Sequence, residues 1–250
     1  MRYMYKFFYL MILGCIMVSC SNDKKPTNNP EKKITIKMVT HGQATDPFWS
    51  VVSNGAKDAA EDLGIAFHYQ SPQSFDMVTM SQMIDAVVAT EPDGLILSVP
   101  DIPALRKSIA SASKKNIPII VINSGSQIME EIDILTYVGQ SEYEAGIKAG
   151  EEMLKTGVND VLCINHEIGN ISLDQREQGF REVLIENNVD VKTVPIDASD
   201  PSETREIVRA FLSSNKGVDG ILALGPLGAI PIVSLLKDID PQKNCLLYTS

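Results

Sequence analysis

The stretch "EPDGLILSVPD", residues 91–101, returns in the second half of the chain as "GVDGILALGPLGA", residues 217–229. Each reads as an acidic residue, a glycine, an apolar run of strand length, and a turn containing proline. An apolar run without polar alternation marks a strand buried on both faces, which belongs in a parallel sheet covered by helices. Carrying the unit twice, the chain is expected to build two such sheets.

Working outward, the first half alternates between strand and helix. "KITIKMVT" (33–40) precedes "PFWSVVSNGAKDAAEDL" (47–63), whose Phe48, Val51, Val52, Ala56, Ala59 and Leu63 recur at helical spacing. "IAFHYQ" (65–70) is followed by a helical stripe of Met77, Met80, Ile84 and Val87 or Val88. The repeat unit itself comes next, then "IPALRKSIASASKKN" (102–116) and "IPIIVIN" (117–123). After a link from Ser124 to Ile134 the alternation resumes with "LTYVGQ" and runs to a helical piece at Ala229–Lys237. The fold class is therefore α/β, two Rossmann-like lobes: residues 34–124 and residues 125–250.

Lobes of this kind bind ligands in the cleft outside the carboxyl ends of their strands. The residues there are His41 with Gly42 to Trp49, Ser98 to Asp101, Asn123 with Ser124 to Gln127, His166 to Asn170, Asp197 to Asp200, and Gly225 to Gly228. They are rich in neutral hydrogen-bonding side chains, with Phe48 and Trp49 at the opening turn. Amides and carboxylates for hydroxyls, and ring faces for C–H surfaces, are what a polyhydroxylated ligand needs. Phe48 also starts the helical stripe, so a core position is its plainer alternative. His41 and His166 end one strand in each lobe and could meet. Without a third ligand they read as hydrogen-bonding or exposed histidines rather than a metal or acid–base pair. Arg176, in "DQREQGF", is either a surface ion pair or a cleft residue.

With 32 Asp and Glu against 22 Lys and Arg, a net charge of -10, and a pI of 4.8, the chain is a poor partner for phosphate-bearing nucleic acid. The first 20 residues carry Arg2 and Lys6, an apolar run from Phe7 to Val18, then Ser19 and Cys20. That is an export leader, residues 1–19, and its ending resembles a lipobox with Cys20 as the acylated residue. An ordinary signal peptide or an anchor helix with a chance cysteine is the alternative. Residues 20–33, with Pro26 and Pro30, read as a flexible tether. The four cysteines form no disulfide framework or paired metal motif. There is no G-x-G-x-x-G, Walker sequence, G-x-S-x-G or H-E-x-x-H, and the expectation is no cofactor, no metal and no enzymatic activity.

At "DPFWSVVSNGAKDAAEDLGI", "DGLILSVPD", "IPIIVINSGSQ", "VGQSEYEAGIKAGEEM" and "REQGF" the chain resembles the type I periplasmic sugar-binding proteins, the ribose-binding-protein group of ABC-importer receptors. The resemblance covers Lys33 to about Lys237. It implies that two lobes close on a monosaccharide, with Phe48 and Trp49 stacking on it and Asp46 nearby. The family's Asp-Arg pair after the fourth strand is here Asn123-Ser124, which puts ribose itself in doubt. Arg176 matches the arginine of R-x-x-G-F that reaches the sugar from the second lobe. Asp101 and His166, nominated from the strand ends, complete the expected ligand set, and Gly225-Pro226 replaces the family's later polar turn. The closing "KNCLLYTS" stands where the family has a strand, an Asp and a return to the first lobe. The second lobe is expected to be truncated there, with Cys245–Ser250 foreign to the frame. The implied partners are a small carbohydrate, the permease subunits of an importer, and the membrane through the lipid anchor, with the protein a monomer in the periplasm or cell envelope. A receptor feeding a chemoreceptor or sensor kinase, or a cleft enzyme using His41 and His166, are the rival readings.

Overall fold

The computed structural model describes residues 33–43, 46–239 and 246–249. The leader, Cys20 and the tether lie outside the described residues. Nine strands and seven helices alternate through the described segments. In chain order they are β1 (Thr35–Val39), α1 (Pro47–Asp62), β2 (Ala66–Gln70), α2 (Met77–Ala89), β3 (Gly94–Leu97), α3 (Ile102–Lys114), β4 (Ile119–Ile122) and β5 (Thr136–Val138). They continue with α4 (Glu142–Leu154), β6 (Asp160–Asn165), α5 (Ile171–Glu186), β7 (Asp190–Pro195), α6 (Pro201–Ser214), β8 (Gly220–Ala223), α7 (Pro226–Ile239) and β9 (Leu246–Thr249).

The helix starts are written locally. Asp46, Asp76, Asp101, Ser141, Asn170 and Asp200 each occupy an N-cap and accept a hydrogen bond from a backbone N–H of the first turn. Proline near the start of α1, α3 and α6 costs nothing, because no intrahelical bond awaits its missing N–H.

All strand pairs are parallel, in two sheets ordered β2-β1-β3-β4-β5 and β7-β6-β8-β9. The echoing stretches become β3 and β8, and each lies beside the first strand of its lobe. In the second lobe the period of two is visible across the sheet. Val161, Cys163 and Leu222 pack on one face with Met153, Phe180 and Leu184, while Leu162, Ile164, Ile221 and Ala223 pack on the other with Val208, Ile232 and Leu235. In the first lobe Val39, Leu95, Leu97, Ile119 and Val121 pack against α2 and α3.

Two sequence expectations change. The division at 124/125 moves, because Ile128 is buried in the first-lobe core and β5 pairs with β4, so the first lobe runs on to Val138. The stripe drawn on α1 is turned: Val51 and Leu63 are both 73% exposed, and the buried face is Trp49, Ser53 and Ala60. The indole sets that rotation by packing over Gly42, where a Cβ would lie 1.6 Å from two of its ring atoms. Residues 246–249 form β9, parallel to β8, in register from Gly220–Leu246 to Ala223–Thr249. Among the described residues no helix is long and apolar enough to cross a membrane.

Candidate functional site

In each sheet the ends of two adjacent central strands, β1 and β3 or β6 and β8, frame a crevice of the kind that holds ligands in open α/β sheets. A histidine fills each crevice. His41, after β1, donates its N–H to Ser98 Oγ at 2.9 Å, and its Nδ1 lies 2.7 Å from the same oxygen. Its Nε2 faces Asn170 and Glu167 of the other lobe. His166, after β6, packs against Gly225, where a Cβ would stand 2.5 Å from its Cε1.

The two crevices share a cavity of about 600 Å³ between the lobes. The lobes also touch directly beside it. Ile171 donates its N–H to the Pro100 carbonyl at 3.0 Å, and His41 Nε2 lies 3.4 Å from Asn170 Nδ2 and 3.5 Å from Glu167 Oε2. The His41–Glu167 contact is not an ion pair. Burial, and then His166, push the His41 pKa down to about 3, so the ring is neutral. Burial raises Glu167 to about 7, Asp46 adding to the rise and the Asn170 hydrogen bond opposing it. Burial and then the Arg176 charge bring His166 down to about 4. Asp46 is raised as well, by burial against the opposing hydrogen bond from Phe48 N–H.

Of the residues nominated from sequence, Asp46, Phe48, Trp49, Asn123, Ser124, His166 and Arg176 line this cavity. The rings play unequal parts. Trp49 is 3% exposed and meets His41 edge-on, with centroids 5.0 Å apart, whereas Phe48, perpendicular to the indole, is 43% exposed. Asn123 takes a left-handed backbone, φ 62°, which asparagine tolerates better than most residues. Its carbonyl accepts from Tyr137 Oη at 2.6 Å and its Oδ1 from Ser124 Oγ at 2.9 Å. Asp101 is not among the lining residues; its carboxylate accepts from Ala104 N–H as the cap of α3.

Arg176 is buried in the second lobe. Its Nε donates to Glu142 Oε2 at 2.7 Å, Nη2 donates to the same oxygen, and Nη1 donates to the Leu224 carbonyl at 3.0 Å. Two glycines create this pairing. A Cβ on Gly146 would lie 2.0 Å from the Arg176 carbonyl oxygen, and one on Gly179 would lie 2.2 Å from that of Tyr143, so α4 and α5 touch backbone to backbone. That approach carries Glu142 to Arg176 across 34 residues of sequence. The glycine of the R-x-x-G-F element thus has a packing reason.

Glu142 and Gln140 line the cavity without having been nominated, and Glu167 and Asn170 lay in a nominated strand end without being chosen. The spacing of Gly146 and Gly150 was a legible sign of a close helix contact; nothing local marked Glu142 as facing inward. Among the described residues no group of three His, Cys, Asp or Glu could hold a metal ion.

A family model described as "Periplasmic binding protein domain" matches residues 36–249. Among solved structures the chain is similar to a carbohydrate transporter from Acidothermus cellulolyticus 11B in complex with myo-inositol. That match is 28% identical, covers 87% of this chain and 73% of that one, and has a TM-score of 0.80. It is similar also to the periplasmic sugar-binding protein of an ABC sugar transporter from Legionella pneumophila, at 25% identity, 87% and 81% coverage, and a TM-score of 0.82. A xylose/arabinose-binding protein from Sulfolobus acidocaldarius is 25% identical over 210 residues, 80% of this chain and 50% of that protein. The chain spans half or less of the length of the curated relatives it matches. With two parallel sheets, a cavity at their carboxyl ends and a family match across nearly every described residue, this chain belongs to the periplasmic binding proteins.

Proposed function

We propose that this chain is the solute receptor of an ABC importer, capturing a monosaccharide or similar small polyhydroxylated ligand between its lobes. The observation that carries the reading is the cavity itself. Its volume of about 600 Å³ suits a small molecule, and both lobes line it with amides, carboxylates and one arginine beside an aromatic pair. Phe48 offers a ring face, while Asn123, Ser124, Asn170, Asp46 and Glu167 offer donors and acceptors to hydroxyls. The resemblance to carbohydrate-binding relatives, of which one holds myo-inositol, supports the same ligand class.

A ligand touching both lobes stabilises the arrangement in which they are together, so binding shifts the population toward the shape a permease recognises. No bond of the ligand is broken in this reading, and it is returned unchanged. The family is a periplasmic one, which agrees with an export leader. Acylation at Cys20 would hold this monomeric receptor at the membrane by its tether, and a Cys20→Ser variant would then be released from the membrane fraction.

The direct test is a titration of the chain against pentoses, hexoses, inositols and nucleosides, read by the fluorescence of Trp49, the only indole. One ligand class is expected to saturate the signal, and Arg176→Ala to abolish it. Silence across the panel in a folded chain would sink the reading.

A further inference from the structure

The charges around the cavity are paired in a way that bears on what can enter. Arg176 is the only lysine or arginine among the described residues that line the cavity, and its guanidinium is turned onto Glu142. Both partners are buried, and Gln140 Nε2 braces the carboxylate at 3.3 and 3.4 Å from its two oxygens. Two further carboxylates, Asp46 and Glu167, line the same space with hydrogen bonds from Phe48 N–H at 2.8 Å and Asn170 Nδ2 at 2.7 Å, and with no lysine or arginine against them among the described residues. The two histidines supply no compensating charge. A buried arginine would ordinarily draw an anion; here the protein provides that anion itself.

We infer that Glu142 is a specificity-determining residue: by neutralising Arg176 it fits the cavity to uncharged polyols and turns away ligands that carry a carboxylate or phosphate. The inference rests on the carbohydrate reading above and narrows it. An anionic ligand would have to displace Glu142 from Arg176, stranding a buried carboxylate, or lie beside Asp46 and Glu167 with like charge. A hydroxyl meets neither obstacle, because it donates to a carboxylate and accepts from an amide at no charge cost.

The test is calorimetric titration at fixed ionic strength with matched pairs: D-glucose and D-glucuronate, D-galactose and D-galacturonate, myo-inositol and its monophosphate. In whichever pair binds, the neutral member is expected to bind at least about tenfold more tightly, since a site with mismatched polar groups rejects strongly. Glu142→Gln, which frees the guanidinium charge without changing shape, should narrow that ratio by about tenfold. A wild-type chain that binds the acid as tightly as the neutral sugar overturns the inference and leaves the receptor reading standing. An unchanged ratio in Glu142→Gln overturns the role of Glu142. If that variant does not fold, Glu142→Asp, which keeps the charge but withdraws it by one methylene, must narrow the ratio in the same direction by a smaller factor; no narrowing overturns the inference. Silence with every pair, in a chain whose circular dichroism is that of the folded protein, defeats the carbohydrate reading and this inference together.

Discussion

The two lobes place a histidine in the same slot and surround it differently. In the first lobe His41 is held by two contacts to Ser98 at the end of β3 and by the edge of Trp49. In the second, the residue corresponding to Ser98 is Leu224, which has no hydroxyl to offer; His166 packs on Gly225 instead, and its Nδ1 is buried without a hydrogen-bond partner among the described residues. The first lobe therefore fixes its ring with a hydrogen bond and lends the cavity aromatic surface. The second fixes its ring by steric fit, and lends charge through Arg176 and Glu142. The first lobe thus supplies the aromatic part of the site and the second its buried ion pair.

The contrast is broken most severely at the ionic half. Arg176→Ala leaves Glu142 buried without its partner, and removing one member of a buried pair costs about 3–5 kcal/mol. Chemical denaturation should show that loss, and ligand binding should vanish with it. The steric half of the comparison is tested at the glycine packed under a ring in each lobe. Gly42→Ala drives a methyl into the indole at 1.6 Å and Gly225→Ala into the imidazole at 2.5 Å. Overpacking costs about 1–3 kcal/mol, and Gly42→Ala should stand at the upper end because a large buried ring must move. Equal losses at both would mean that the second lobe is as rigid as the first.

The pH dependence sharpens the comparison, because both histidines act in one sense and Glu167 in the other. Unfolded histidines take up protons near 6.5, but in the fold only near 3 and 4, so their contribution is present above 6.5 and drains away as pH falls. Folded Glu167 keeps its proton up to about 7 whereas the unfolded group ionises near 4.5, so its contribution is present below 4.5 and is lost as pH rises through 7. Two groups outweigh one between 4.5 and 6.5, and the urea midpoint should fall from pH 7 to pH 5. In Glu167→Gln the fall should be steeper and stability at pH 8 higher. An unchanged profile in that variant would remove Glu167 from the account.

How far sequence could carry this reading differs by level. The strands of both sheets were legible because "GLIL" and "GILA" are apolar without interruption and sit between turn residues, which leaves few alternatives to a covered parallel sheet. The strand-end rule then found most of the cavity, since it depends only on where strands stop. It failed where a side chain's direction mattered. Val51 and Leu63 looked like core by spacing, but the orientation of α1 is set by one indole over Gly42. Glu142 was invisible because its partner lies on another helix, and only the glycine contacts between α4 and α5 bring them together. The lobe boundary was misplaced because β5 has three residues, two of them exposed, and shows its membership only by pairing with β4.

The aromatic half offers a smaller effect. Phe48, 43% exposed at the cavity, should be replaceable by alanine with little change in stability, while its ring face is worth about 1 kcal/mol to a stacked ligand, roughly fivefold in affinity. Trp49→Phe should do the reverse, costing stability through the lost fit against His41 and Gly42.

The smallest expected effect separates two aspartates that sequence treated alike. Asp46 and Asp101 both follow a strand of the first lobe and both cap the helix that comes next, through Phe48 N–H at 2.8 Å and Ala104 N–H at 2.9 Å. Only Asp46 also lines the cavity. Losing a cap costs about 1 kcal/mol when alanine replaces it and far less when asparagine does, because the amide oxygen still accepts. Asp101→Ala should therefore lower stability by that amount and leave affinity alone. Asp46→Asn should leave stability nearly alone and lower affinity, because the amide lacks the second acceptor oxygen that a hydroxyl could use. If Asp101→Ala weakened binding instead, the neighbouring Pro100 carbonyl, which accepts from Ile171 across the lobes, would be the route: loosening the start of α3 would reach the ligand through that contact.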